Sequence, residues 1–170
     1  TGLLERLATI LSPEEIEKAK LSLQALPISY LWIVLFQGLF AGITINALFA
    51  FGEELGWRGF LLRQFRQMSF IKASLTIGFI WGIWHAPMIL MGHNYPQHPE
   101  IGVLMMIVFC ILITPFHLYI TIKAKSVIAA AILHGTLNAT AAISIIGISG
   151  GNDLNSGVTG LPGFIVMCVF

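Results

Sequence analysis

Long apolar runs, not alternation, dominate the chain. The first extends from Ile28 to about Phe51 without a charge, the second from about Ala73 to Met91, the third from Ile101 to Ile122, and the fourth from Ser126 to about Ser149. Each holds the roughly 20 mainly apolar residues that a helix needs to cross a hydrocarbon core of about 30 Å. Strand-type alternation with polar lumen residues is absent, so a membrane barrel is excluded. A last run, Val158 to Phe170, is too short to span unless the native chain continues. The pattern predicts an all-α polytopic helix bundle of about four to six membrane helices. Ahead of it, Leu3, Leu7, Ile10 and Leu11 recur at helical spacing. Ser12-Pro13-Glu14-Glu15 is a helix start with Ser at the N-cap, Pro at N1 and Glu three residues on. Residues 1–26 are therefore expected to form an interfacial amphipathic segment, and residues 27–170 the transmembrane domain.

Composition sharpens this reading. Of 170 residues, 56% are hydrophobic and only 10% charged. Soluble domains carry about 25% charged residues. The net charge of +1 and the lack of a basic arm give no footing for nucleic acid. The chain starts at Thr1 and ends inside an apolar run, as expected of a fragment or processed form. Cys110 and Cys168 lie in apolar runs and are expected to be small core residues. Arg58, Arg63, Arg66 and Lys72 fall between runs one and two, and Lys123 and Lys125 between runs three and four. The positive-inside rule places these loops in the cytoplasm and the Gly92–Glu100 and Gly150–Gly157 loops outside, in a multi-pass protein of the cell membrane. Lys18 and Lys20 conflict with that topology, unless residues 53–68 lie in the membrane. Gly38 and Gly42 form a GxxxG pair suited to close helix packing.

Ionisable groups within spans are costly and mark function. Glu54 and Arg58 are four apart and can pair along one helix face. Glu53 points about 100° away and has no partner in its own helix. One neutralised carboxylate beside one free one suits a general base; acids in the first turn of a cytoplasmic helix are the plain alternative. His85 follows Trp81 by one turn; taken alone it reads as a hydrogen-bonded packing residue, and with Trp81 as a wall it is a candidate site residue. His134 and Asn138 share a face, where they hold an anion or bridge to another helix. His117 is read as structural, without a polar partner at helical spacing. His93 and His98 are read as solvated loop residues. The single aspartate, Asp153, excludes an aspartyl dyad, and HExxH is absent. Gly147-Ile-Ser149-Gly150 mimics a serine-protease motif, but no histidine follows it, so Ser149 is assigned to a turn.

Taken in order on separate spans, Glu53-Glu54-x-x-x-Arg58, Trp81-x-x-x-His85 and His134-x-x-x-Asn138 resemble the CPBP family. These are the CaaX proteases and bacteriocin-processing (Abi) membrane proteins, including Rce1-like prenyl endopeptidases. Trp81 stands where the family usually has Phe. The resemblance implies an intramembrane glutamate-dependent endopeptidase acting on a peptide or membrane-protein substrate, with a prenylated CaaX type among the candidates. It implies Glu53 as the base that activates water, His85 as the group that positions it, and His134 with Asn138 as oxyanion donors. Glu54 and Arg58 would orient the Glu53 helix. No cofactor is required by this scheme; if zinc is present, Glu53, His85 and His134 are the expected ligands, with water fourth. The rival functions are a non-catalytic bacteriocin self-immunity or scaffold protein, and a small transporter using Glu and His as a relay.

Overall fold

In the computed structural model, residues 4, 8, 11–146 and 148–169 are described. Every regular element among them is helical. Leu3, Leu7 and Ile10, on which the amphipathic reading of the first residues rests, lie outside that set. Helix α1 spans Pro13–Gln24 and begins as its sequence predicts. The Ser12 side chain accepts from the Glu15 amide, and the Glu15 carboxylate accepts from the Ser12 amide at 2.8 Å. Together these bonds close a capping box, and they hold the Glu15 carboxyl below its ordinary range.

Helix α2 runs unbroken from Tyr30 to Gln64, 35 residues. At about 1.5 Å per residue that is about 52 Å, more than a hydrocarbon core requires. This corrects the expected cytoplasmic loop after run one: Arg58 and Arg63 are helical, and Arg58 is only 2% exposed. The helix continues through its charges because Glu54 neutralises Arg58 within the same face. Two stretches of α2, Gly42–Asn46 and Leu55–Leu61, are wound as π-helix. Glu53 and Glu54 lie between them. Such wide turns are rare, and they recur at functional sites.

Helix α3 spans Phe70–Trp84 and ends with His85 as its C-cap. Pro87 then sits at the start of a short α4, Ala86–Leu90, so the second apolar run is two helices and not one span. Helix α5 covers Pro99–Ala124 and α6 covers Val127–Thr140. A single turn at Ala141–Ala142 separates α6 from α7, Ile143–Ile146, and α8 spans Leu161–Val169. Three stretches, Tyr30–Gln64, Pro99–Ala124 and Val127–Ile146, are long and apolar enough to cross a membrane; α3 is apolar but shorter.

Helix α2 packs against α6, α3 against α5, and α5 against α6. The GxxxG pair works as expected. A Cβ on Gly42 would lie 2.6 Å from the Thr136 Cα, and one on Gly135 would collide with the Ala47 backbone nitrogen. The α2 and α6 backbones therefore meet directly. Gly135→Ala is expected to lower stability by about 1–3 kcal/mol, because backbone cannot yield as a side chain does. Gly52→Ala, with nothing within 4 Å of the added Cβ, should be neutral or slightly stabilising. Unfolding midpoints of the two variants in detergent check this contrast. Cys110 is buried as expected, whereas Cys168 is exposed on α8, a nine-residue helix whose buried residue is Phe164.

Candidate active site

The site is assembled around Trp81. Its indole Nε1–H donates to the Glu53 carboxylate at 3.2 Å. The Arg58 guanidinium lies over its ring, 4.5 Å from the centroid. The rings of His85, His117 and His134 sit 5.7, 5.6 and 5.2 Å from it. Trp81 thus does more than wall the site. Its N–H supplies Glu53 with a partner from another helix, which phenylalanine at this position could not do.

Glu54 and Arg58 form the expected ion pair, with Nη1 donating to Oε1 at 3.0 Å and both side chains fully buried. The same Oε1 accepts from His134 Nδ1 at 2.9 Å. That bond settles which ring nitrogen of His134 carries a proton: Nδ1 faces a carboxylate and donates, leaving Nε2 available to a ligand. His85 is fixed in the same way, with Nδ1 donating to the Trp81 carbonyl at 2.8 Å and Nε2 available. Arg58 Nη2 donates to Thr114 Oγ1 at 3.3 Å, and that hydroxyl donates to the Cys110 carbonyl at 2.6 Å. Helices α2, α5 and α6 are thereby tied through one buried polar chain.

Two expectations about histidines are corrected here. His117 is fully buried with its ring 5.9 Å from that of His134, and its Nδ1 bonds the Ile113 carbonyl at 3.1 Å. It does have polar residues at helical spacing. Cys110, Thr114, His117 and Thr121 recur at i, i+4, i+7 and i+11 on α5, and all four are buried. That stripe in an apolar helix was the sequence signal for Thr114 and His117. His98 is not simply solvated: its Nδ1 is 2.6 Å from Asp153 Oδ1. Asp153 also accepts from the Gln97 and His98 amides, so it clasps the 92–98 loop to the segment before α8. Tyr95, buried in the same loop, donates to the Thr159 carbonyl at 2.7 Å, and burial pushes its phenol well up, which keeps it a donor.

A cavity of about 1000 Å³ lies between these groups and the clasped loops. Glu53, Trp81, His85, His134 and Asn138 all line it, with Met88, Met106, Phe109 and Leu137 as apolar wall. The four residues expected to carry the chemistry therefore face one space, although His134 contacts Glu54 and not Glu53. The expected zinc trio is not what the fold gathers. Among the described residues, ligand atoms within 4.8 Å of one another come from Glu54, His117 and His134. Ser149 lies in an irregular, exposed stretch away from the cavity lining.

A family described as type II CAAX prenyl endopeptidase, Rce1-like, matches residues 27–140. The chain belongs to the Rce1-like family. All three motifs, Glu53-Glu54-x-x-x-Arg58, Trp81-x-x-x-His85 and His134-x-x-x-Asn138, fall inside the matched residues. The chain is also similar to CAAX prenyl protease 2 of Methanococcus maripaludis, with 41% identity over 44 residues. That stretch is 25% of this chain and covers 16% of the relative's length. No solved structure matches the chain. Family membership and three membrane-capable helices make this an Rce1-like membrane protein.

Proposed function

We propose that this protein is an intramembrane endopeptidase of the cell membrane, spanning it several times, in which residues 27–170 form the catalytic unit and residues 1–26 lie at the interface. The observation that carries the reading is the separation of the two adjacent carboxylates. Glu54 Oε1 is taken up by Arg58 and His134, while Glu53 lines the cavity with Trp81 as its hydrogen-bond partner among the described residues. Glu53 removes a proton from a water that His85 Nε2 helps to hold, and the hydroxide attacks the peptide carbonyl. Charge develops on that carbonyl oxygen. The Asn138 amide donates to it, and His134 donates from Nε2 when it is the imidazolium, with Glu54 against Nδ1. The proton on Glu53 then passes to the leaving amine as the C–N bond breaks.

Glu54 Oε2 and His117 Nε2 are buried without a partner, so the trio has open ligand atoms, and the metal-free reading rests on the cation beside it. The Glu54 Oε1 of the alternative trio already accepts from Arg58 and His134. A dication there would sit beside a buried guanidinium that the fold holds in place. The chemistry of the relative's name suggests a membrane-borne, prenylated CaaX peptide as substrate. Purified protein in liposomes is expected to cleave such a peptide better than its unprenylated counterpart, and to do so after treatment with a strong chelator. Loss of cleavage on chelation, restored by zinc, would transfer the role to Glu54, His117 and His134 as ligands.

A further inference from the structure

At the opposite end of the bundle from the clasped loops is a second pocket, of about 400 Å³. We propose that it binds a phosphate group, supplied by the headgroup of an anionic glycerophospholipid. Arg58, Arg63, Arg66 and Lys125 are among the residues that line it. The three outer cations are exposed, and none has an acidic partner among the described residues. The sequence offers none nearby: it has no acidic residue between Leu55 and Pro99 or between Ile101 and Asn152. Three like charges converge on one hollow with no counter-ion from the protein.

Two further features add positive charge at this end. Arg58 is 2% exposed, yet its Nε–H is buried without a partner. The remaining guanidinium nitrogens are engaged by Glu54 and Thr114, so Arg58 adds buried positive charge behind the pocket and not a direct contact. The first turn of α6 also opens here through Ser126 and Val127 and adds the partial positive charge of a helix start. Lys125 itself adopts a left-handed conformation, φ 52°, between α5 and α6. A lysine there costs backbone energy that glycine would not. A basic pocket between membrane helices, at the cation-rich end, suits a lipid headgroup. Ile122 borders the pocket and, with Ile128, is more than half exposed, giving acyl chains an apolar face on which to lie.

The proposal does not depend on the endopeptidase reading, because binding is measured directly. Full-length purified protein in detergent would be titrated with phosphatidylglycerol, with phosphatidylcholine and with inorganic phosphate, following the unfolding midpoint and bound ligand by native mass spectrometry. Saturable binding of one phosphatidylglycerol, tighter than phosphatidylcholine, is expected. Each of Arg63→Ala, Arg66→Ala and Lys125→Gly should weaken it by about fivefold, and the triple variant by about a hundredfold. Lys125→Gly separates ligand from fold: it should leave the lipid-free protein as stable or more so while weakening binding. Inorganic phosphate binding as well as the lipid, and lost in the triple variant, would keep the phosphate site and assign it to the free ion. Equal binding of the two lipids with no response to phosphate, or undiminished phosphatidylglycerol binding by the triple variant, would overturn it.

Discussion

Glu53→Gln should reduce peptide cleavage by about 10²- to 10⁴-fold, the range expected when a positioned general base is removed. The substitution preserves the shape of the side chain, and Trp81 Nε1 can still donate to the remaining oxygen, at the 3.2 Å contact seen with the carboxylate. Folding and substrate binding should therefore survive, and the loss should fall on kcat with KM little changed. Trp81→Phe makes the companion test. It keeps an aromatic ring among Arg58, His117 and His134 but deletes the donor to Glu53, so a smaller fall in kcat is expected. If Glu53→Gln cleaves at the full rate, Glu53 is not the base; if the wild-type protein cleaves nothing and its cellular function survives Glu53→Gln, the enzymatic assignment fails. The non-catalytic alternatives, an immunity or scaffold protein, would then take its place.

How far the sequence carried the argument depends on the kind of signal. The apolar runs and the Gly38–Gly42 pair made the helical membrane bundle legible, because a bilayer leaves the backbone few other solutions. The Glu54–Arg58 pair was legible too, since helical spacing alone brings i and i+4 together. The bond from Trp81 to Glu53 was not: it crosses between α2 and α3, and no local rule sets the rotation of one helix against another. Nor was the length of α2. Charge ordinarily ends a membrane run, and only the burial of Arg58 against Glu54 and Thr114 explains why it does not here. The π turns on either side of Glu53 and Glu54 escape any reading based on a 3.6-residue period. Of the two roles expected of His134, the bridge to another helix is made, but the sequence did not say to which glutamate. Adjacent glutamates look alike in sequence, but about 100° of rotation sends one to the cavity and the other to the polar chain.

That polar chain carries the second large effect. Glu54→Gln should destabilise the protein by about 3–5 kcal/mol, because it leaves the Arg58 cation buried without a carboxylate in contact. Nothing else described replaces it: Arg58 keeps only the neutral Thr114 hydroxyl at 3.3 Å and the face of Trp81. Arg58→Met should cost less. The stranded Glu54 retains His134, whose Nδ1–H already donates to it at 2.9 Å. The ordering Glu54→Gln worse than Arg58→Met is thus set by which ion keeps the closer hydrogen-bond partner, His134 at 2.9 Å for Glu54 against Thr114 at 3.3 Å for Arg58. Removing both charges, as in Glu54→Leu with Arg58→Met, should recover much of the loss, since apolar side chains in a buried site pay no desolvation cost. Unfolding midpoints of the three variants in detergent give the ranking. Equal losses from the two single variants would mean that His134 does not compensate Glu54. A double variant worse than either would mean that the pair serves chiefly to hold α2, α5 and α6 in register. Activity gives an independent check. Even where the double variant folds, His134 loses the carboxylate that fixes its Nδ1–H, so cleavage should remain depressed while stability returns.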